Sequence, residues 1–277
     1  MTMYRIQAPD FNLDLTLSCG QVFRWDKKDQ WAGDVNGAVV RAEQEGSELI
    51  IESTLDKKSI QDYFRLDDNI EKIYSEIGKD ELINSLIRKY HGLRLIRQDP
   101  WECLASYICS SNNTIRNIKN SIRLMCECFG NRIEEGYYSF PTPEALAQVE
   151  LCDMASCRMG FRAPNLRSAA TMIADGEFDL NGIKDMSYKK GREELVKVKG
   201  VGNKIADCVL LFAFGKLESF PVDTHIEQIM ERFYSKSFHD AKKSKKRDTI
   251  ADFARGYFGR YCGYAQEYLY LEDLEKL

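Results

Sequence analysis

One segment of this 277-residue chain combines residue types suited to covalent chemistry. Leu195-Val196-Lys197-Val198-Lys199-Gly200-Val201-Gly202-Asn203-Lys204 reads as a short amphipathic helix, a two-glycine corner and the start of a second helix. Gly200 and Gly202 permit a tight hairpin and close approach of the backbone to another molecule. The N–H groups that open the second helix, together with its dipole, make an anion site. Lys197 and Lys199 add positive charge. A phosphate docked there meets backbone alone, so binding is independent of base sequence. Taken by itself, Gly-x-Gly before a helix is equally the mark of a plain structural corner.

The sequel narrows the choice. Lys204 stands in the first turn of a largely apolar helix, where the positive end of the dipole disfavours an ammonium group and favours the free amine. A free amine is what a Schiff-base nucleophile requires. After Gly215 and a short loop comes Phe220-Pro221-Val222-Asp223-Thr224-His225. Asp223 reads as the N-cap of the next helix. The plain alternatives are a solvated Lys204 that helps the phosphate site and an Asp223 that only caps. Capping and catalysis are compatible, because donated N–H groups keep a carboxylate ionised and aimed.

These residues need a scaffold, and the composition supplies one. Apolar residues make up 44% and charged residues 30%, an ordinary globular balance. No run of about 18 apolar residues is present, so a membrane span is excluded, and the first residues lack a secretory pattern. Nine cysteines with no C-x2-C spacing speak for a reduced, intracellular compartment and against a zinc site. Cys208 and Cys262 alone are too few for an iron–sulfur cluster in the C-terminal quarter. Net charge is −4, which by itself argues against nucleic acid. Within 184–204, however, seven basic residues face three acidic ones, and phosphate binding follows the local field.

The pattern predicts an α+β protein. An antiparallel sheet domain with flanking helices is expected over 1–95, and a helical domain over 96–277. In the first part, alternation of Phe11, Leu13, Leu15 and Leu17 predicts a strand, followed by strands at 22–25 and 31–35. Asn36-Gly37 and Glu45-Gly46 mark hairpin turns of a meander. From about residue 55 the apolar period becomes 3.6. Helices are expected around Ile60–Phe64, Ile70–Ile77 and Leu82–Tyr90, then over 115–129 with Gly130 as a C-cap. Others follow at 144–158, 163–175, 192–198, 204–214, 224–234, 246–258 and 264–275. The Lys-rich stretch from Lys242 to Arg247 reads as a solvated loop.

The run Lys199-Gly-Val-Gly-Asn-Lys204-Ile-Ala-Asp-Cys208, followed by Pro-Val-Asp223-Thr-His225, resembles the helix–hairpin–helix and Gly/Pro-rich, Asp-bearing loop of DNA glycosylases. Four further segments resemble the 8-oxoguanine DNA glycosylases: Cys19-Gly20-Gln21-Val22-Phe23-Arg24-Trp25, Ile108-Cys109-Ser110-Ser111-Asn112-Asn113, Met159-Gly160-Phe161-Arg162-Ala163 and Gly263-Tyr264-Ala265-Gln266. The resemblance spans about residues 10–275. It implies a helix–hairpin–helix over about 192–214, an Asp loop over 215–225, and C-terminal helices that return to the substrate pocket.

It also implies a bifunctional enzyme of base-excision repair that flips 8-oxoguanine out of duplex DNA. By similarity, Lys204 attacks C1′, the base leaves, and a Schiff base undergoes β-elimination; Asp223 stabilises positive charge on the sugar. Gly20 reads the lesion's N7–H through its carbonyl, which guanine cannot satisfy. Gln266 binds the Watson–Crick edge, and Cys208 and Tyr270 cover the two faces of the base. Asn112 fills the vacated duplex, Asn113 supports its turn, Phe161 wedges beside the estranged base, and Arg162 binds that base. Gly200 and Gly202 hold the backbone and His225 a phosphate. Without the family, Cys208 and Tyr270 read as core, and His225 as a structural histidine.

Three positions depart from the family pattern. Asn117 stands where an arginine reads the opposite cytosine, Phe161 replaces a tyrosine, and Pro164 replaces a second arginine. Weaker preference for cytosine opposite the lesion is expected. The expected partner is double-stranded DNA containing 8-oxoguanine, bound by a monomer. No membrane partner, cofactor or metal is expected, and the location is the cytoplasm or nucleoid, or a nucleus in a eukaryote. The competing readings are a non-catalytic helix–hairpin–helix DNA binder and a glycosylase for another damaged base.

Overall fold

A computed structural model describes residues 1–238 and 245–274. Five strands open the chain: β1 Thr2–Gln7, β2 Trp25–Lys27, β3 Trp31–Val35, β4 Ala38–Glu45 and β5 Glu48–Ser53. They form one antiparallel sheet in the order β1-β5-β4-β3-β2. The expected meander is β2 to β5; β1, which the alternation did not reveal, pairs along β5 from Thr2↔Ser53 to Gln7↔Glu48. Asn36 and Gly37 both have positive φ, 51° and 79°, as a two-residue primed turn demands.

The strand expected at 11–17 is instead helix α1, Leu13–Ser18. The Asn12 side chain accepts the Leu15 N–H at 3.0 Å and nucleates the turn. Leu13, Thr16 and Leu17 are its buried residues, three and four apart. The expected strand at 22–25 is also displaced, since pairing starts only at Trp25.

The helices that follow are α2 Lys57–Tyr63, α3 Ile70–Ile77, α4 Glu81–Lys89, α5 Pro100–Cys109 and α6 Ile115–Phe129. After the small hairpin β6 Arg132–Glu134 and β7 Tyr137–Tyr138 come α7 Pro143–Ala147, α8 Leu151–Ser156, α9 Ala163–Ala174, α10 Tyr188–Leu195, α11 Asn203–Phe212, α12 Thr224–Tyr234, α13 Lys246–Phe258 and α14 Cys262–Leu274. The single helix expected at 144–158 is two, because Glu150 is extended (ψ 147°), and both pieces pack on α9. The helix placed at 192–198 starts earlier, where Ser187 caps it by accepting from the Lys190 N–H. Gly130 is not left-handed (φ −88°); glycine is required there by space, since a Cβ would stand 2.0 Å from the Ser139 carbonyl. Residues 242–244 of the Lys-rich stretch lie outside the described residues. Its end is helical rather than loop: Lys246 and Arg247 open α13 and pair with Glu231 and Glu227.

Two cores result. One lies under the sheet around Leu17, Trp25, Ile51 and Phe64, and the other runs through the helices from Ile70 to Leu271. The returning C-terminal helices are tied to the first hundred residues: Tyr264 donates to Asp68 at 2.8 Å, Arg260 pairs with Glu76 at 2.6 Å, and Tyr234 and Tyr257 donate to Asp80. Seven of the nine cysteines are buried. No helix among the described residues is long and apolar enough to cross a membrane.

Candidate active site

The hairpin joins α10 to α11. Gly200 is left-handed (φ 86°), and a Cβ there would approach the Asn165 side chain to 2.6 Å. Gly202 is the N-cap of α11 with extended backbone and open space around it, so the first N–H groups of α11 are uncovered. The corner is braced from behind. Buried Asp207 accepts from Tyr188 at 2.7 Å and from Arg192 at 3.0 Å. Arg192 also reaches Asp248 at 2.7 Å, and Asp248 accepts from Asn203 at 2.9 Å. Burial raises the Asp207 carboxyl despite Arg192 beside it. This network ties α10, α11 and α13 into one support. Lys197, expected to face phosphate, is drawn to Glu194 at 2.6 Å.

In front of α11 lies a cavity of about 430 Å³. Lys204, Asp223, Gly20, Cys208, Gln266 and Tyr270 all line it, as do Asn113 and His225. They arrive from the α1–β2 loop, from the α5–α6 loop, from α11, from the start of α12 and from α14, so the returning C-terminal helix completes the wall. Asn112, Phe161, Arg162, Gly200 and Gly202 do not line it.

Lys204 Nζ stands 5.1 Å from the centroid of the Tyr107 ring. Tyr107 is itself stacked on Phe212 at 5.7 Å. Asp223 caps α12, its Oδ1 accepting from the Ile226 N–H at 2.9 Å. Burial pushes the Cys208 thiol up to about 12, so it presents a neutral, polarisable wall. Gln266 is buried and its Oε1 has no hydrogen-bond partner among the described residues. An acceptor left open in this way is costly unless a ligand supplies the donor.

Gly20 is left-handed (φ 93°), and a Cβ there would stand 3.0 Å from Ile115 Cδ1 and 3.7 Å from the Tyr270 ring. Its position is held by Gln21, whose Nε2 donates to the Thr16 and Arg94 carbonyls at 2.9 and 2.8 Å and whose Oε1 accepts from the Ile96 N–H at 2.7 Å. Arg24 works at a distance from the cavity, pairing at 2.8 Å with both Asp34 and Glu102. Burial still pushes Glu102 up to about 7.

At the surface, Asn112 is exposed with φ 49° and Phe161 is 63% exposed. Arg162, expected to bind a base, donates here to the carbonyls of Ser111 and Asn112. Asn113 Nδ2 donates to the Cys109 carbonyl at 3.2 Å. His225 Nδ1 lies 2.7 Å from Asp273 Oδ2, which leaves Nε2 uncommitted to that pair. Arg116 and Asn117 are both exposed on α6.

Among the wall residues that sequence reasoning did not single out are Tyr107 and Glu267. Tyr107 comes with α5, whose Asp99-Pro100 start was a legible helix signal. Glu267 was marked by being the one acid in the apolar and aromatic run Gly263-Tyr-Ala-Gln-Glu-Tyr-Leu-Tyr-Leu271.

A helix–hairpin–helix opening onto a cavity that holds both a lysine and an aspartate defines the fold and site of a DNA glycosylase. Residues 105–251 match the HhH-GPD superfamily of base excision DNA repair proteins, and residues 3–104 match the 8-oxoguanine DNA glycosylase N-terminal domain. The chain belongs to the HhH-GPD superfamily, in the branch that carries this N-terminal domain. The structure of MBOgg1 in complex with a low-affinity DNA ligand is similar over 100% of this chain and 96% of that one, with 35% identity and a TM-score of 0.92. The 8-oxoguanine glycosylase/lyase of Clostridium acetobutylicum, in complex with DNA containing cytosine opposite 8-oxoguanine, is 32% identical with a TM-score of 0.90, over 100% of this chain and 98% of that one. A probable N-glycosylase/DNA lyase of Methanothermobacter thermautotrophicus is 29% identical over 96% of this chain and 94% of its own length.

Proposed function

We propose that this chain excises 8-oxoguanine from duplex DNA and then cuts the abasic strand, with Lys204 as nucleophile. The protein is a bifunctional N-glycosylase and abasic-site lyase of base-excision repair, and its partner is DNA that contains the lesion. The observation that carries the residue assignment is the sharing of one cavity by Lys204, Asp223 and the open acceptor of Gln266.

The hairpin grips phosphate through backbone N–H groups and leaves the duplex sequence unread. Asn112 enters the stack as the nucleotide leaves, and Phe161 wedges beside the base left behind. The extruded purine lies between Cys208 and Tyr270. Gln266 Oε1 accepts from its Watson–Crick edge, and the Gly20 carbonyl accepts from N7–H. Guanine would set its N7 acceptor against that carbonyl and lose the bond. Lys204 Nζ attacks C1′ as the bond to N9 breaks. Asp223, fixed by its capping bond, places negative charge beside the developing oxocarbenium ion. The lysine–sugar adduct opens to the Schiff base, and loss of a proton from C2′ expels the 3′-phosphate. Such work belongs in the compartment that holds the DNA, where reduced thiols persist.

Borohydride reduction during turnover tests the assignment. A covalent adduct forms with an 8-oxoguanine duplex and is absent with K204Q, which still binds that duplex. Binding without any adduct in the wild type would leave a DNA-binding scaffold.

A further inference from the structure

Excision leaves one proton to be assigned. When C1′–N9 breaks, the electron pair goes to the purine, which must gain a proton to depart neutral. Resting on the glycosylase reading, Lys204 is spent on the bond to C1′ and Asp223 acts as an anion, so neither is the donor.

The other acids of the cavity are few. Cys208, Tyr107 and Tyr270 are a thiol and two phenols that burial makes still weaker acids. His225 is turned through Nδ1 to Asp273. Glu267 remains. It follows Gln266 on α14, lines the same cavity and is 3% exposed. It shares that cavity wall with Lys204, Asp223 and Gln266. The charges that reach it are Lys204 from α11 and Asp223 from the turn before α12. Burial first, and Asp223 second among the raising causes, push it up to about 7, against Cys19 and Lys204.

We propose that Glu267 is the general acid of base excision: its carboxyl, buried in the wall of the cavity that Lys204 and Asp223 also line, gives its proton to the purine as the glycosidic bond breaks. The amine forms the N–C1′ bond and becomes a secondary ammonium. The C1′–N9 pair passes to the base, and the Glu267 O–H proton passes to the base anion. Glu267 is left as a carboxylate and regains a proton from water after release. An abasic site has no base to protonate, so the lyase step does not use this group.

Single-turnover rates of wild type and E267Q are compared on an 8-oxoguanine duplex and on a preformed abasic duplex. For E267Q, excision at neutral pH falls by about 100-fold or more, the scale of general acid catalysis, while abasic cleavage stays within about threefold. In the wild type the ratio of excision to abasic cleavage falls between about pH 6 and about pH 9, and in E267Q the ratio is flat. Undiminished excision by E267Q overturns the proposal. So does an equal loss of both reactions, which marks a structural role, or a pH slope that persists in E267Q. Wild-type protein that cuts neither duplex overturns the glycosylase reading, and this assignment with it.

Discussion

Arg162 donates through Nη2 to the main-chain carbonyl of Asn112 at 2.7 Å, and through Nε to that of Ser111 at 2.7 Å. Its guanidinium also lies 4.4 Å from the centre of the Phe161 ring. Phe161 and Asn112, the proposed wedge and plug, are therefore joined through Arg162, although 50 residues separate Arg162 from Asn112. The fork holds Asn112 at φ 49°, a conformation that asparagine tolerates better than most residues but that still costs energy. R162K keeps the charge and loses the planar two-point grip. Single-turnover excision should fall about tenfold in both R162K and R162A, the scale of one charge-assisted bond. A lysine variant at wild-type rate, with alanine impaired, would assign the role to charge alone.

Asp223 caps α12, and substitution can separate that duty from the catalytic one proposed for it. Asparagine caps a helix nearly as well as aspartate, so D223N should melt within a few tenths of a kcal/mol of wild type, while D223A loses about 1 kcal/mol. Only the anion can face a developing positive sugar. Both variants should therefore lose about 100-fold or more in excision, the range for removing a preorganised electrostatic partner. A D223N enzyme with near-normal excision would reduce Asp223 to its cap.

The residues that share the cavity were more legible than the element boundaries around them. Gly200, Lys204, Cys208 and Asp223 lie within 24 residues, and local geometry links them: Cys208 is one turn from Lys204, and Asp223 begins the next helix. The α1 error shows the converse. Leu13 and Leu17 are four apart, which satisfies a period of 2 and a period near 3.6 alike, and only the Asn12 cap separates them. The facing of Tyr107 and Glu267 was not legible, although their helices carried signals, because in a largely buried helix periodicity says nothing of which residue faces a cavity. That Lys197 turns to Glu194, and Arg162 to two carbonyls, depends on partners that hydropathy does not rank.

A prediction for opposite-base preference rests on α6. Asn117 is exposed where the family pattern has an arginine, and Arg116 is rotated about 100° away on the helix. The wild type should excise 8-oxoguanine opposite cytosine and opposite adenine at similar rates. N117R should raise the preference for cytosine by about 5- to 100-fold, the value of one good side-chain contact to a base edge. A wild-type preference already as steep as that of the variant would mean that Phe161 or Arg162 reads the opposite base without it.

The buried carboxyl of Glu267 also carries a stability signature independent of catalysis. Its folded value, about 7, lies above the ordinary glutamate value of 4.5, so the native state holds its proton more tightly than the unfolded chain. Below both values the group is protonated in each state and costs nothing. As pH rises from about 4.5 towards 7, the unfolded chain ionises first, and stability falls. The loss is complete above 7 and amounts to at most about 3 kcal/mol. Glutamine has no charge to bury. E267Q should thus melt close to wild type near pH 4.5 and several degrees higher near pH 8, in thermal unfolding followed without DNA. The same substitution that slows excision stabilises the fold, which is the trade expected where an acid is kept buried for its proton. Parallel melting curves across this range would show that the Glu267 carboxyl ionises as freely in the pocket as in the unfolded chain, and would remove its claim to hold a proton at neutral pH.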